Sequence, residues 1–141
     1  MSPFLAPFEI FLQDIWIKSY QWDDSFEDAD VVRWKKLEDL AHPIPSVPRC
    51  LVPSSDSPLD YELCVLRDAS KRLYASCVYL LCRSHSSTTA GLLMAESLLG
   101  PRNPITMLRM ELLATLMSLR LVRFVHTQLL LKISAVGYFE I

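Results

Sequence analysis

Glycine is scarce in this chain: three residues in 141, at Gly91, Gly100 and Gly137. None follows an Asp-Thr or Asp-Ser pair, so the paired turns that carry the carboxylates of an aspartic peptidase are missing. The four cysteines, Cys50, Cys64, Cys77 and Cys82, form no Cys-x-x-Cys pair, and the three histidines are scattered. That pattern argues against a zinc site and leaves reduced, buried thiols as the default. No basic region precedes the first apolar residues, and acids intrude by Glu9 and Asp14, so the N-terminus does not read as a secretory signal. Leu112–Ile133 is apolar, but Arg120 and Arg123 lie inside it, each costing about 2.5–3.5 kcal/mol on insertion scales. It reads as a core helix rather than a membrane span, and an intracellular setting follows as the expectation.

Half of the residues are apolar and about a fifth are charged, which suits a packed domain and not a disordered chain. The net charge is −2 and is unevenly spread. Met1–Glu62 carries 12 acids and 5 bases, and Leu63–Ile141 carries 4 acids and 9 bases. The second part is the one suited to phosphate.

Residues 1–57 read as a helical segment with a proline-rich linker. Phe8, Leu12, Ile15 and Trp16 recur at helical spacing, and a second helix is expected from Phe26 to Leu40, capped by Ser25, with Val31, Trp34 and Leu37 on one face. Pro43, Pro45, Pro48, Pro53 and Pro58 then keep the chain extended. Residues 58–141 read as three strands, Tyr61–Leu66, Leu73–Cys82 and Gly91–Ser97, followed by one long helix from Thr106 to about Lys132. The fold class is therefore α+β. On the long helix a wheel sets Arg109, Arg120, Arg123 and Thr127 on a solvated face, and Glu111 on another side with Thr115, Ser118 and Val122. Leu112, Leu113, Leu116 and Met117 are expected to be buried at least in part, and Arg120 and Arg123 exposed.

Two carboxylates stand out. Asp68 follows the apolar run Leu63–Leu66, and Glu111 lies in the first turns of the long helix. An acid at a strand's end and another near a helix start form half of a two-metal nuclease site, which needs three or four carboxylates holding ions about 3.5–4 Å apart. Taken singly, each has a plainer role: Asp68 in a turn with Ser70, and Glu111 at the favourable end of a helix dipole.

The chain resembles the polyproteins of BEL/Pao-type LTR retrotransposons. The matching words are Leu5-Ala6-Pro7-Phe8, Gln13-Asp14-Ile15-Trp16, Trp22-Asp23-Asp24, Arg33-Trp34, Val47-Pro48-Arg49-Cys50-Leu51, Asp68-Ala69-Ser70, Tyr74-Ala75, Val78-Tyr79, Leu93-Met94-Ala95, Pro104-Ile105-Thr106 and Arg109-Met110-Glu111-Leu112-Leu113-Ala114. The resemblance implies a connection segment of a reverse transcriptase polyprotein followed by a truncated RNase H-like domain, a three-stranded meander plus one long helix. It implies Mg²⁺ or Mn²⁺ as the parent domain's cofactor, with Asp68 and Glu111 as metal ligands and catalytic residues. It also implies an RNA–DNA hybrid and the rest of the polyprotein as partners, with no membrane.

There are departures from the family pattern. Leu108 stands where a proline is usual, and Glu96 where a basic residue is usual. The family's next strand ends in an aromatic-Ser/Thr-Asp word that supplies a third carboxylate, whereas this chain reads Val136-Gly137-Tyr138-Phe139-Glu140-Ile141. Glu140 is the one acid there, and its place is not fixed by the sequence. The expectation is a polyprotein fragment with a fourth strand mostly missing, no tightly bound metal and no cleavage. Two alternatives are a non-catalytic structural or interaction module, in which Trp16, Trp22 and Trp34 seek a partner or close a local core, and a region carrying the family's Pao peptidase label without a peptidase motif.

Overall fold

The computed structural model describes residues 2–41, 60–85 and 87–140, with side chains from Leu5 onward. The proline-rich linker, Cys50 and the expected boundary between residues 57 and 58 lie outside the described residues. The chain divides into two compact units, residues 1–47 and residues 48–141.

In the first unit, α1 (Ser2–Lys18) and α2 (Asp28–Leu40) are joined by a short turn. Ser19, at φ 59°, ends α1 by entering the left-handed region. Phe11 is 2% exposed, its ring centroid 5.7 Å from that of Trp34, and Phe8 meets the same indole edge-on at 6.1 Å. Leu12 and Trp16, expected on the inner face of α1, are exposed. Trp34 closes the local core, whereas Trp16 and Trp22 do not.

In α2, Leu37 is buried as expected, but Asp30, not Val31, is its buried companion. The reason is pairing. Lys18 Nζ donates to Asp30 at 2.7 Å and to Glu27 at 2.8 Å, and the Tyr20 hydroxyl donates to Asp30 at 3.0 Å. A buried carboxylate is tolerated when its oxygens are so occupied. The helix starts two residues later than Ser25 predicts, with Glu27 at the N-cap position.

The second unit is a four-stranded mixed sheet with one helix. Its strands are β1 (Asp60–Ala69), β2 (Leu73–Arg83), β3 (Thr88–Leu99) and β4 (Ile133–Glu140), in the order β3-β2-β1-β4. The three meander strands pair antiparallel and run longer than the sequence predicts. The turn between β1 and β2 is closed by Ser70: its N–H donates to the Leu73 carbonyl at 2.8 Å, and its hydroxyl accepts the Leu73 N–H at 3.1 Å. The expectation that the fourth strand is mostly missing is overturned. Ile133–Glu140 forms β4 and pairs in parallel with Tyr61–Arg67.

Two neighbouring parallel strands need a crossover, and α3 (Met107–Gln128) supplies it. Leu121, Val122 and Val125 pack on Leu63, Val65, Val78, Leu80 and Cys82. Gly100 sets the approach to the helix. Its N–H donates to the Arg72 carbonyl at 2.7 Å, and a Cβ there would lie 2.9 Å from the Met110 side chain. The Thr106 carbonyl accepts the N–H groups of Arg109 and Met110, which starts the helix without a side-chain cap.

Arg120 and Arg123 are exposed and Met117 is buried, as the wheel predicts. Leu112 and Leu116 correct it: they are 69% and 45% exposed, while Met110, Ala114, Ser118, Leu121 and Val125 form the inner stripe. Ser118 is fully buried because its hydroxyl donates to the Ala114 carbonyl at 2.7 Å. Among the described residues no helix is long and apolar enough to cross a membrane. Among the described residues Cys64, Cys77 and Cys82 form no disulfide, Cys82 being buried and the other two half-buried.

Leu121→Ala should cost about 2–5 kcal/mol by urea unfolding, as a large-to-small core change, while Leu112→Ala should stay within about 0.5 kcal/mol. A second expectation concerns acid. The Lys18 ammonium beside Asp30 holds that carboxyl below its ordinary value of 3.8. The pair therefore stabilises the hairpin above the unfolded carboxyl's pKa, and the contribution is lost as pH falls through the lower folded value. Trp fluorescence followed below pH about 4 should show an acid transition in the native chain that is weakened in Asp30→Asn.

Candidate active site

β1 alternates. Leu63 and Val65 are 1% exposed and face α3, and Arg67 is the next member of the same set. The Arg67 guanidinium donates to the Thr115 hydroxyl of α3 and, at 3.2 Å, to Glu140 Oε2 of β4. The parallel register pairs Arg67 with Glu140 directly, so the two side chains share a face. Thr115 in turn donates to the Glu111 carbonyl at 2.8 Å. These contacts gather the ends of β1 and β4 and the first half of α3 around one cation.

The same contacts place both sequence-predicted ligands. Leu121, Val122 and Val125 pack beside Leu63 and Val65, while Thr115 sits at Arg67, so α3 runs antiparallel to β1. Glu111, one turn before Thr115, therefore lies toward the C-terminal end of β1, the end that carries Asp68. Glu111 is half-buried and Asp68 exposed. Asp68 belongs to the alternate set of β1, with Cys64 and Leu66, and its Oδ1 accepts the N–H of Ala69 at 2.8 Å. The turn after Asp68 is closed by Ser70, not by the Asp68 carboxylate.

Divalent ions of the implied kind need several converging oxygens in a strict geometry. Among the described residues no group of three or more His, Cys, Asp or Glu side chains is placed to hold a metal. Glu140, which β4 brings to this end of the sheet, is taken by Arg67. The donor set therefore does not fit a pair of metal ions.

A shallow cavity of about 320 Å³ opens beside this cluster, lined by Arg67, Thr115, Leu119, Tyr138, Phe139 and Glu140. Along the outer side of α3 a larger and almost wholly apolar hollow, about 560 Å³, runs past Ile105, Leu112, Leu116 and Leu119.

Sequence reasoning missed Arg67. The signal was present: a charge at the third position of a core-facing alternation that begins Leu63, Val65. The pairing of β4 with β1, which fixes the backbone of Glu140, has no local signal because it is a long-range contact.

Arg67 is 27% exposed and Glu140 56%, so the pair is solvated mainly on its Glu140 side. A double-mutant cycle on the two by chemical denaturation should give a coupling below about 1 kcal/mol, shrinking further in high salt.

No curated protein matches the chain. The family described as the Pao retrotransposon-like RNaseH-like domain matches residues 1–140. That match spans nearly the whole sequence and accords with the α+β architecture. The chain belongs to the Pao retrotransposon-like RNaseH-like domain family.

Proposed function

We propose that this chain is a non-cleaving member of its family: it keeps the RNase H-like scaffold, while the carboxylate site for hydrolysing RNA in RNA–DNA hybrids is not assembled. The reading takes Asp68 and Glu111 as what remains of the parent's ligand set, and the hybrid and the rest of the polyprotein as the parent's partners. One observation carries it. The side chain that β1 turns toward α3, a turn from Glu111, is Arg67 and not a carboxylate, and it engages the acid that β4 brings alongside.

Hydrolysis by two ions needs one to activate water and the other to stabilise the leaving oxygen. A guanidinium supplies neither: it has five donors, no acceptor and a charge that does not titrate. The same chemistry suits contact with a phosphate. Arg109, Arg120 and Arg123, exposed along α3, add positive charge to that helix. A fold by itself does not establish a reaction, so the proposal stands on these residues.

The test is cleavage of a labelled RNA–DNA hybrid by the purified chain, with Mg²⁺ and with Mn²⁺, beside Asp68→Asn. The expected result is no cleavage by either protein. Cleavage by the native chain that disappears in Asp68→Asn overturns the proposal.

A further inference from the structure

We propose that Arg67 is a resident cation that occupies Glu140 and keeps divalent metal ions out of the end of the sheet where β1, β4 and α3 meet. The inference rests on the preceding reading that this end corresponds to the family's carboxylate site, and it assigns the residue that closes it.

Three observations carry it. First, Arg67 is engaged from two sides, by Thr115 of α3 and by Glu140 of β4. Second, its strand position is inward. It continues the set of Leu63 and Val65, and 73% of its side-chain surface is covered (27% exposed). Third, Glu140 stands beside it by direct strand pairing, and the backbone of Glu111, one helical turn before Thr115, accepts the Thr115 hydroxyl.

The chemistry then decides between two cations. Mg²⁺ and Mn²⁺ are hard ions that need oxygen donors, and Mg²⁺ gives up its water reluctantly. An ion entering here must share Glu140 with a fixed positive charge and lie near it. The guanidinium cannot lose its proton to make room. Removing that charge should leave Glu140 free to attract a divalent ion.

Mn²⁺ binding, measured from the free-ion signal in electron spin resonance, tests this on the full chain. The native protein should bind Mn²⁺ only in the millimolar range or weaker, about 10⁻³ M. Arg67→Gln, which removes the charge and keeps a polar amide on a shorter side chain, should bind about ten-fold tighter or more, equivalent to about 1.4 kcal/mol. Arg67→Lys keeps the charge and should remain like the native protein. Arg67→Gln combined with Glu140→Gln should lose the gain. Glu140→Gln alone should not alter the native affinity, because Glu140 is not a metal ligand while Arg67 holds it.

The proposal is overturned if Arg67→Gln binds no more tightly than the native chain, if Arg67→Lys gains as much as Arg67→Gln, or if the double variant keeps the gain. Circular dichroism verifies the fold of each variant. Should Arg67→Gln fail to fold, the exposed Glu140→Gln decides alone: a loss of native Mn²⁺ affinity overturns the proposal, and an unchanged affinity supports it. Hybrid cleavage by the native chain would overturn the non-cleaving function and leave this titration to be judged on its own result.

Discussion

The seating of α3 on the sheet is the constraint on which the rest of the second unit depends. β4 lies parallel to β1, so the chain must cross over between them, and α3 is the crossover. Leu121, Val122 and Val125 set its phase against Leu63, Val65, Val78 and Leu80. Once that phase is fixed, Thr115 lies over Arg67 and Glu111 lies a turn beyond it. Rotating the helix by one residue, about 100°, would bring a different side chain over Arg67. The candidate site is therefore a consequence of core packing several residues away. It is also sensitive to Gly100, whose missing Cβ leaves space for Met110 at the start of the helix.

The elements that depend on local pattern were legible in the sequence. The meander follows from alternation and from turn residues such as Ser70, and the long helix from its length and from Pro104 and Thr106. The phase of α3 was only half legible. Its arginines mark the outer side correctly, but leucines lie on nearly every side of it. A wheel built on apolarity cannot choose between Leu112 and Leu121 when both are leucine. The inner stripe is marked instead by small and polar residues, Ala114 and Ser118, that let the helix approach the sheet and satisfy their own hydrogen bonds. β4 was not legible as a full strand because nothing local in Ile133–Glu140 demands one; its partner is β1, some seventy residues earlier.

The same division between local and paired signals runs through the first unit. Leu37 is placed by spacing alone. Asp30 is not, since burying an acid depends on Lys18 and Tyr20 from across the turn. Lys18 thereby couples the end of α1 to the start of α2, and Arg33 does the same further along by pairing with Asp14 at 2.7 Å while lying 5.4 Å from the Phe11 ring centroid. A hairpin of two short helices has little apolar surface to bury. Specific ion pairs decide its register where the apolar pattern, with Leu12 and Trp16 facing outward, does not.

The resemblance drew attention to Asp68 and Glu111 in the sequence. What it did not disclose is Arg67. Arg67 adjoins Asp68 in the chain, touches the helix a turn from Glu111 and pairs with Glu140. A site in this fold is defined by what converges at the end of the parallel strands, and convergence is decided by strand alternation as much as by residue identity. Advancing one position along β1 exchanges a carboxylate for a guanidinium on the face that meets α3. The scaffold is indifferent to that exchange, because Thr115 and Glu140 satisfy the guanidinium as hydrogen-bond acceptors. Metal-dependent hydrolysis calls for oxygen donors of negative charge at such a place, and a guanidinium has the opposite sign.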